Sequence, residues 1–117
     1  MNLIKNLITA ATVTGFICVS GFAADESLVK KGEEIFKTNT KGNCIACHAI
    51  NGQTLDGPGS MGPVLQYLSA WPDEALYDKI FDPYTANPIS AMPAFGKNGW
   101  LSDEEIKAVV AYLKTIN

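Results

Sequence analysis

Arginine is absent from this chain of 117 residues, histidine occurs once and cysteine three times. Nine lysines stand against twelve acidic residues, a formal net charge of −3. That balance excludes nucleic acid or an anionic membrane surface as the main partner, since both are bound through an excess of positive charge. A single imidazole leaves too few nitrogen ligands for a multi-histidine metal site. The apolar run Leu7–Val19 falls short of the about 20 residues that a bilayer-crossing helix needs. No segment alternates polar and apolar residues long enough to read as a strand, and there are no repeats or low-complexity tracts. What remains is one small all-α domain.

Residues 1–23 carry the marks of a secretory signal peptide. Lys5 gives the positive start and Leu7–Val19 the apolar centre. Gly21-Phe22-Ala23 then puts small residues at the two recognition positions, which sets cleavage between Ala23 and Ala24. An uncleaved anchor would need a longer apolar run, and a lipidated Cys18 would need small residues where Phe16 and Ile17 stand. The expectation is an exported, periplasmic protein with a mature domain of 24–117 and no stable membrane insertion after cleavage. Its charge is uneven: 24–48 holds four lysines and four acids, and 49–117 four lysines and eight acids. The acid clusters read as solvated helix faces or helix starts.

Cys18 leaves with the signal, so Cys44 and Cys47 are the only thiols of the mature chain. They lie in Cys44-Ile45-Ala46-Cys47-His48, the spacing for covalent attachment of a c-type haem. Two thiols three positions apart on one turn can add to the two vinyl groups along one haem edge. The next residue then brings an imidazole under the ring. A bare Cys-x-x-Cys is less specific, because redox dithiols and half zinc sites share it. Zinc would need two further ligands, and no second histidine exists. One haem c is therefore the expected cofactor, attached through Cys44 and Cys47, with His48 as an iron ligand. Both thiols are committed, so no disulfide is expected, although the compartment permits one. A large flat apolar group would also staple a domain too short to bury a large core.

Residues 26–37 read as a first helix, with Val29, Gly32, Ile35 and Phe36 near one face. Glycine inside a helix costs about 1 kcal/mol relative to alanine. Gly32 therefore marks either the close approach of another helix or an early helix end. Pro72–Phe81 reads as a further helix, opened by Pro72 and Asp73 and stopped by Asp82-Pro83. In the last helix Ser102 and Glu105 form a capping box, and Ile106, Val109, Val110 and Leu113 follow at i, i+3, i+4 and i+7. The glycine- and proline-rich stretches Gly52–Pro63 and Pro83–Gly99 cannot be continuous helix. Loops of that length need something to pack beneath them, and a haem supplies that surface.

An electron-transfer haem takes a second protein ligand, and methionine there raises the potential. Beyond Met1 the candidates are Met61 and Met92. Met61 follows His48 by 13 residues, in a stretch that packs first on the histidine side. Met92 follows it by 44 residues with a helix between, enough chain to return on the far face. Pro93 holds Met92 extended, which makes Met92 the favoured ligand and Met61 the alternative; core packing is the plain reading of either. A ligating histidine donates its other N–H to a neighbour. Gly62-Pro63 can offer a carbonyl there, unless Pro63 only starts a helical turn through Leu68. Trp71, Trp100, Tyr67 and Tyr84 have polar tips suited to haem propionates, with core or interface as the plainer reading of each.

Together these motifs resemble a class I cytochrome c. The resemblance implies a Gly32-containing helix crossing the last helix near Tyr112, axial His48 and Met92, and the Pro63 carbonyl as support for His48. Lys41-Gly42-Asn43-Cys44, Gly57–Pro63, Asp82-Pro83 with Asn87-Pro88, and Met92–Gly96 are in addition similar to the SoxX family. Its members are the monohaem subunits of SoxAX cytochrome complexes in periplasmic thiosulfate oxidation. The chain departs from that pattern near Met61, where isoleucine is usual, and near Val64, where a second proline is.

The SoxX resemblance implies a SoxA-type partner, in a heterodimer or larger assembly, on whose haem thiosulfate is joined to a carrier-protein cysteine. The present chain would accept the electrons released and pass them to a soluble cytochrome c or another acceptor. It would then be the non-catalytic electron-transfer subunit of a heteromeric L-cysteine S-thiosulfotransferase. The alternative is a free-standing diffusible electron carrier. A ligand-binding or peroxidase-like haem protein needs an open iron position, which Met92 would fill.

Overall fold

The computed structural model describes residues 26–117, so the expected signal peptide, 1–23, lies outside the described residues. Three α-helices, α1 over 26–37, α2 over Asp73–Phe81 and α3 over Asp103–Leu113, are joined by irregular chain. Short 3-10 turns occur at Cys44–Ala46, Leu68–Ala70 and Pro83–Thr85. Among the described residues there is no sheet. One isolated parallel bridge pairs Ile50 with Leu65. It is closed by Asn51 N–H on Leu65 O at 2.9 Å and Leu65 N–H on Ala49 O at 2.8 Å. The all-α expectation is met.

Helices α1 and α3 touch at Gly32. A Cβ there would lie 1.9 Å from the Ala108 carbonyl oxygen and 2.9 Å from Tyr112 Cβ. Only glycine lets the two backbones come this close. Helix α1 continues unbroken to residue 37, which removes the early-end reading. One turn beyond the contact, the Phe36 ring meets Tyr112 edge-on, with centroids 5.5 Å apart, an arrangement that ring quadrupoles favour. The whole apolar stripe of α3, Ile106, Val109, Val110 and Leu113, is buried. Leu76 and Ile80 of α2 join it, as do Ile50, Phe95 and Leu101 from the connecting chain.

The start of α3 has both halves of the capping box. Glu105 N–H donates to Ser102 Oγ at 3.2 Å, and Ser102 N–H to Glu105 Oε1 at 3.0 Å. Lys41 Nζ donates to Glu105 Oε2 at 2.9 Å, which ties the chain just before Cys44 to the helix. The Ser102 backbone bond, followed by the Lys41 bond, holds the Glu105 carboxyl below its ordinary value of 4.5. A folded-state value below the unfolded one stabilises at pH above the ordinary value, and the contribution is lost as pH falls through the lowered one. Glu105→Gln should therefore be less stable than the parent near neutral pH. In urea unfolding that difference should shrink as pH falls below 4.5.

Helix α2 begins at Asp73, with Pro72 as its N-cap rather than its first helical residue. Asp82 ends it, and the Asp82 side chain accepts Tyr84 N–H at 3.1 Å to open the Pro83–Thr85 turn. Tyr77 Oη–H donates to Asp103 Oδ1 at 2.6 Å and joins α2 to α3. Of the core or interface reading of four aromatic residues, exposure removes the core half: Tyr67, Trp71, Tyr84 and Trp100 are all exposed. Tyr67 and Trp71 flank one 3-10 turn and Tyr84 lies within another, where the tight backbone turns the side chains outward. Trp100 meets Phe95 of the core edge-on, with centroids 5.9 Å apart, and its backbone N–H donates to Phe95 O at 2.9 Å.

Candidate cofactor-attachment site

Asn43 enters the Cys44–Ala46 turn in the left-handed region, at φ 49°. Cys47 N–H and His48 N–H then both donate to Cys44 O, at 3.1 and 2.9 Å. The five-residue run is thus one tight turn with His48 at its end. The Gly57–Pro63 stretch lies along it, with Gly59 N–H on Ile45 O at 2.9 Å and Gly62 N–H on Cys47 O at 2.8 Å.

His48 Nδ1 is 2.7 Å from Pro63 O. A carbonyl oxygen only accepts, so Nδ1 is the donor, which leaves Nε2 as the ring nitrogen not engaged by Pro63. Gly62 lies against the ring: a Cβ on it would be 2.4 Å from His48 Cε1 and 2.7 Å from Nδ1. Pro63 thus orients one edge of the imidazole and Gly62 one face. Pro63 starts no helical turn, since the next helical residues are Leu68–Ala70.

Cys44 packs against the core cluster. Burial pushes its thiol up to about 12, so the free thiol is un-ionised at neutral pH. A redox dithiol needs the reverse, a thiolate stabilised well below the ordinary range. Among the described residues, no group of three His, Cys, Asp or Glu side chains is placed to hold a metal ion. The zinc reading therefore lacks its ligands.

Met61 is 77% exposed, whereas Met92 is half-buried against the same core cluster that Cys44 touches. The Met92 stretch is held at several points. Met92 N–H donates to Ser90 Oγ at 3.1 Å, Lys97 N–H to Phe81 O at 3.0 Å and Leu101 N–H to Phe95 O at 3.1 Å. The structure therefore brings Cys44, Cys47, His48 and Pro63 into one unit. Met92 stands on the other irregular stretch and meets that unit through the shared core. The sequence placed Gly62 here only through the Pro63 carbonyl; that Gly62 itself lies against the His48 ring was not read from it.

These donors fit a covalently held haem: two thiols on one turn, an imidazole whose Nε2 is left unengaged by Pro63, and a thioether on a braced loop. Fold and site together define a small class I cytochrome c-like helical domain. The chain belongs to the family described as cytochrome c oxidase, cbb3-type, subunit III, which matches residues 27–113. An uncharacterized lipoprotein of Aquifex aeolicus (strain VF5) is 40% identical over 75 residues, covering 62% of this chain and 36% of that protein. Cytochrome c oxidase subunit 2 of Alkalihalophilus pseudofirmus is 32% identical over 109 residues, covering 84% of this chain and 30% of that protein. The chain spans about a third of the length of these curated relatives.

The crystal structure of SoxXA from P. pantotrophus is similar with a TM-score of 0.65 at 28% identity, over 74% of this chain and 79% of that one. Family and structural likeness support an electron-transfer cytochrome role. No described helix is long and apolar enough to cross a membrane.

Proposed function

We propose that this chain is an exported monohaem c-type cytochrome that works in the periplasm as a SoxX-like electron-transfer subunit. The observation that carries the haem reading is the 2.7 Å bond from His48 Nδ1 to Pro63 O. It orients the imidazole of the Cys-x-x-Cys-His turn and leaves Nε2 to ligate, as outer-shell partners of metal-bound histidines do. Cys44 and Cys47 would hold the haem by thioether bonds, with His48 and Met92 on the iron and Pro63 supporting His48. Bound there, the haem supplies a one-electron couple whose potential the methionine raises. The chain's own residues position: Gly62 and Pro63 fix the His48 ring, and the Ser90 and Leu101 bonds stiffen the Met92 loop. With His48 and Met92 both given to the iron, the chain would make no substrate bonds of its own. Cleavage between Ala23 and Ala24 would deliver residues 24–117 to the periplasm.

The fold supports the SoxX-like reading: the likeness to SoxXA has a TM-score of 0.65 at 28% identity. A SoxA-type subunit would then be the electron source, releasing electrons as thiosulfate is joined to a carrier-protein cysteine, and a soluble cytochrome c the acceptor. A second reading, a diffusible periplasmic carrier, draws on the family and on the oxidase relative, both named for a cytochrome c oxidase. Co-purification with a second haem subunit from thiosulfate-grown cells is expected for the first. Isolation as a monomer, with thiosulfate oxidation undiminished after deletion, would leave only the second.

Met92→Ala tests the iron ligation. The variant should keep its covalent haem, lose the iron–sulfur charge-transfer absorption and show a lower reduction potential. An unchanged band and potential would remove Met92 from the iron, with Met61→Ala as the parallel control.

A further inference from the structure

Two exposed aromatic residues cap one 3-10 turn. Tyr67 precedes Leu68–Ala70 and Trp71 follows it, with Ala70 N–H on Tyr67 O at 3.3 Å and Trp71 N–H on Leu68 O at 3.0 Å. Tyr67 is in the left-handed region, at φ 58°, and its side chain is 66% exposed. That conformation costs a residue of this size roughly 1–2 kcal/mol, and a ring so exposed recovers little through burial. Glycine would sit there without strain. Folding therefore gives no reason for a tyrosine at this position.

The turn is also held rigid. Ser69 N–H donates to Ile116 O at 2.9 Å, Ser69 Oγ–H to Asn117 Oδ1 at 3.0 Å, and Lys114 Nζ to Trp71 O. Rings presented on fixed backbone lose little entropy when they dock, and tyrosine and tryptophan are favoured interface anchors. Helix α2 follows at once with three exposed acids, Asp73, Glu74 and Asp78, against one exposed lysine, Lys79. Lys114 reaches Asp73 at 3.4 Å, which places this acid beside the Trp71 backbone.

We propose that the Tyr67–Trp71 turn, with the start of α2, is the docking surface for a redox protein that presents a basic rim around an apolar centre. The proposal rests on the electron-transfer reading above. Charge complementarity selects the basic rim. The backbone selects a redox partner: four residues before Tyr67, Pro63 O accepts from His48 Nδ1 at 2.7 Å. The surface is thus joined to the proposed iron ligand by one peptide segment and one hydrogen bond.

A lysine-rich mitochondrial cytochrome c, reduced, serves as the probe, titrated at low ionic strength into the reduced 15N-labelled holo-protein. The two tryptophans report separately: the Trp71 indole N–H is expected to shift and that of Trp100 to stay. Tyr67→Gly should weaken the affinity about tenfold, as loss of an anchor residue does, with no loss of thermal stability. Glu74→Gln with Asp78→Asn should flatten the salt dependence. A titration that leaves the Trp71 indole unmoved, or a Tyr67→Gly variant that binds like the parent, overturns the proposal. Haem content and reduction potential, measured before titration, test the electron-transfer reading by itself; a chain without a redox-active haem would sink that reading, whatever the indoles do.

Discussion

Cys44→Ser together with Cys47→Ser is expected to yield a polypeptide that carries no haem after denaturation, whereas the parent keeps its haem stain on a denaturing gel. Serine nearly matches cysteine in size, so the Cys44–Ala46 turn and its bonds to Cys44 O, at 3.1 and 2.9 Å, should persist. The hydroxyl, however, does not add to a vinyl group. The loss should be complete, since His48 and Met92, as the proposed iron ligands, would hold haem only while the chain stays folded. Each single serine variant should retain one thioether and show a shifted reduced absorption band. His48→Ala separates the roles: it keeps both thioethers, and so the stain, but loses the ligand that Pro63 orients. Haem retained through denaturation in the double variant would refute attachment at these thiols.

The parts of this site that were legible in the sequence are local ones. The Cys44–His48 run is a single turn, and its spacing carries its chemistry. The Ser102–Glu105 box and the Ile106–Leu113 stripe were legible for the same reason, because helix periodicity and capping act within a few residues. Gly32 was legible from the residues as one of two alternatives, a close helix approach or an early helix end, and the class I resemblance pointed to the crossing near Tyr112; the atom it meets, the Ala108 carbonyl 76 residues away, was not. Gly62 was noticed only as the neighbour of Pro63, because its own constraint is the His48 ring, which only the folded loop brings against it. For Tyr67, Trp71, Tyr84 and Trp100 the residue types left core and interface both open, and exposure removes the core, since backbone turns set their direction outward. Side-chain type reports a preference for burial; where the chain turns decides whether that preference is met.

Gly32→Ala sets two opposing effects against each other, and their magnitudes decide the sign. In an isolated helix the substitution stabilises by about 1 kcal/mol. Here the new methyl would lie 1.9 Å from Ala108 O and 2.5 Å from Ala108 C. Both atoms are backbone, so no side-chain rotation relieves the overlap, and α1 must move away from α3. That movement opens the Phe36–Tyr112 contact and the buried face around Ile106 and Val109, which lie at the centre of the core. Overpacking typically costs 1–3 kcal/mol, and more where the backbone must shift. A net loss of about 2 kcal/mol or more is expected, a large share of the roughly 5–15 kcal/mol that holds a typical domain folded. Urea unfolding of the holo-protein measures it, and a gain of about 1 kcal/mol would mean that the helices do not touch here. Ala108→Gly in the same background should bring no rescue, because the obstruction is the carbonyl of residue 108 and not its side chain.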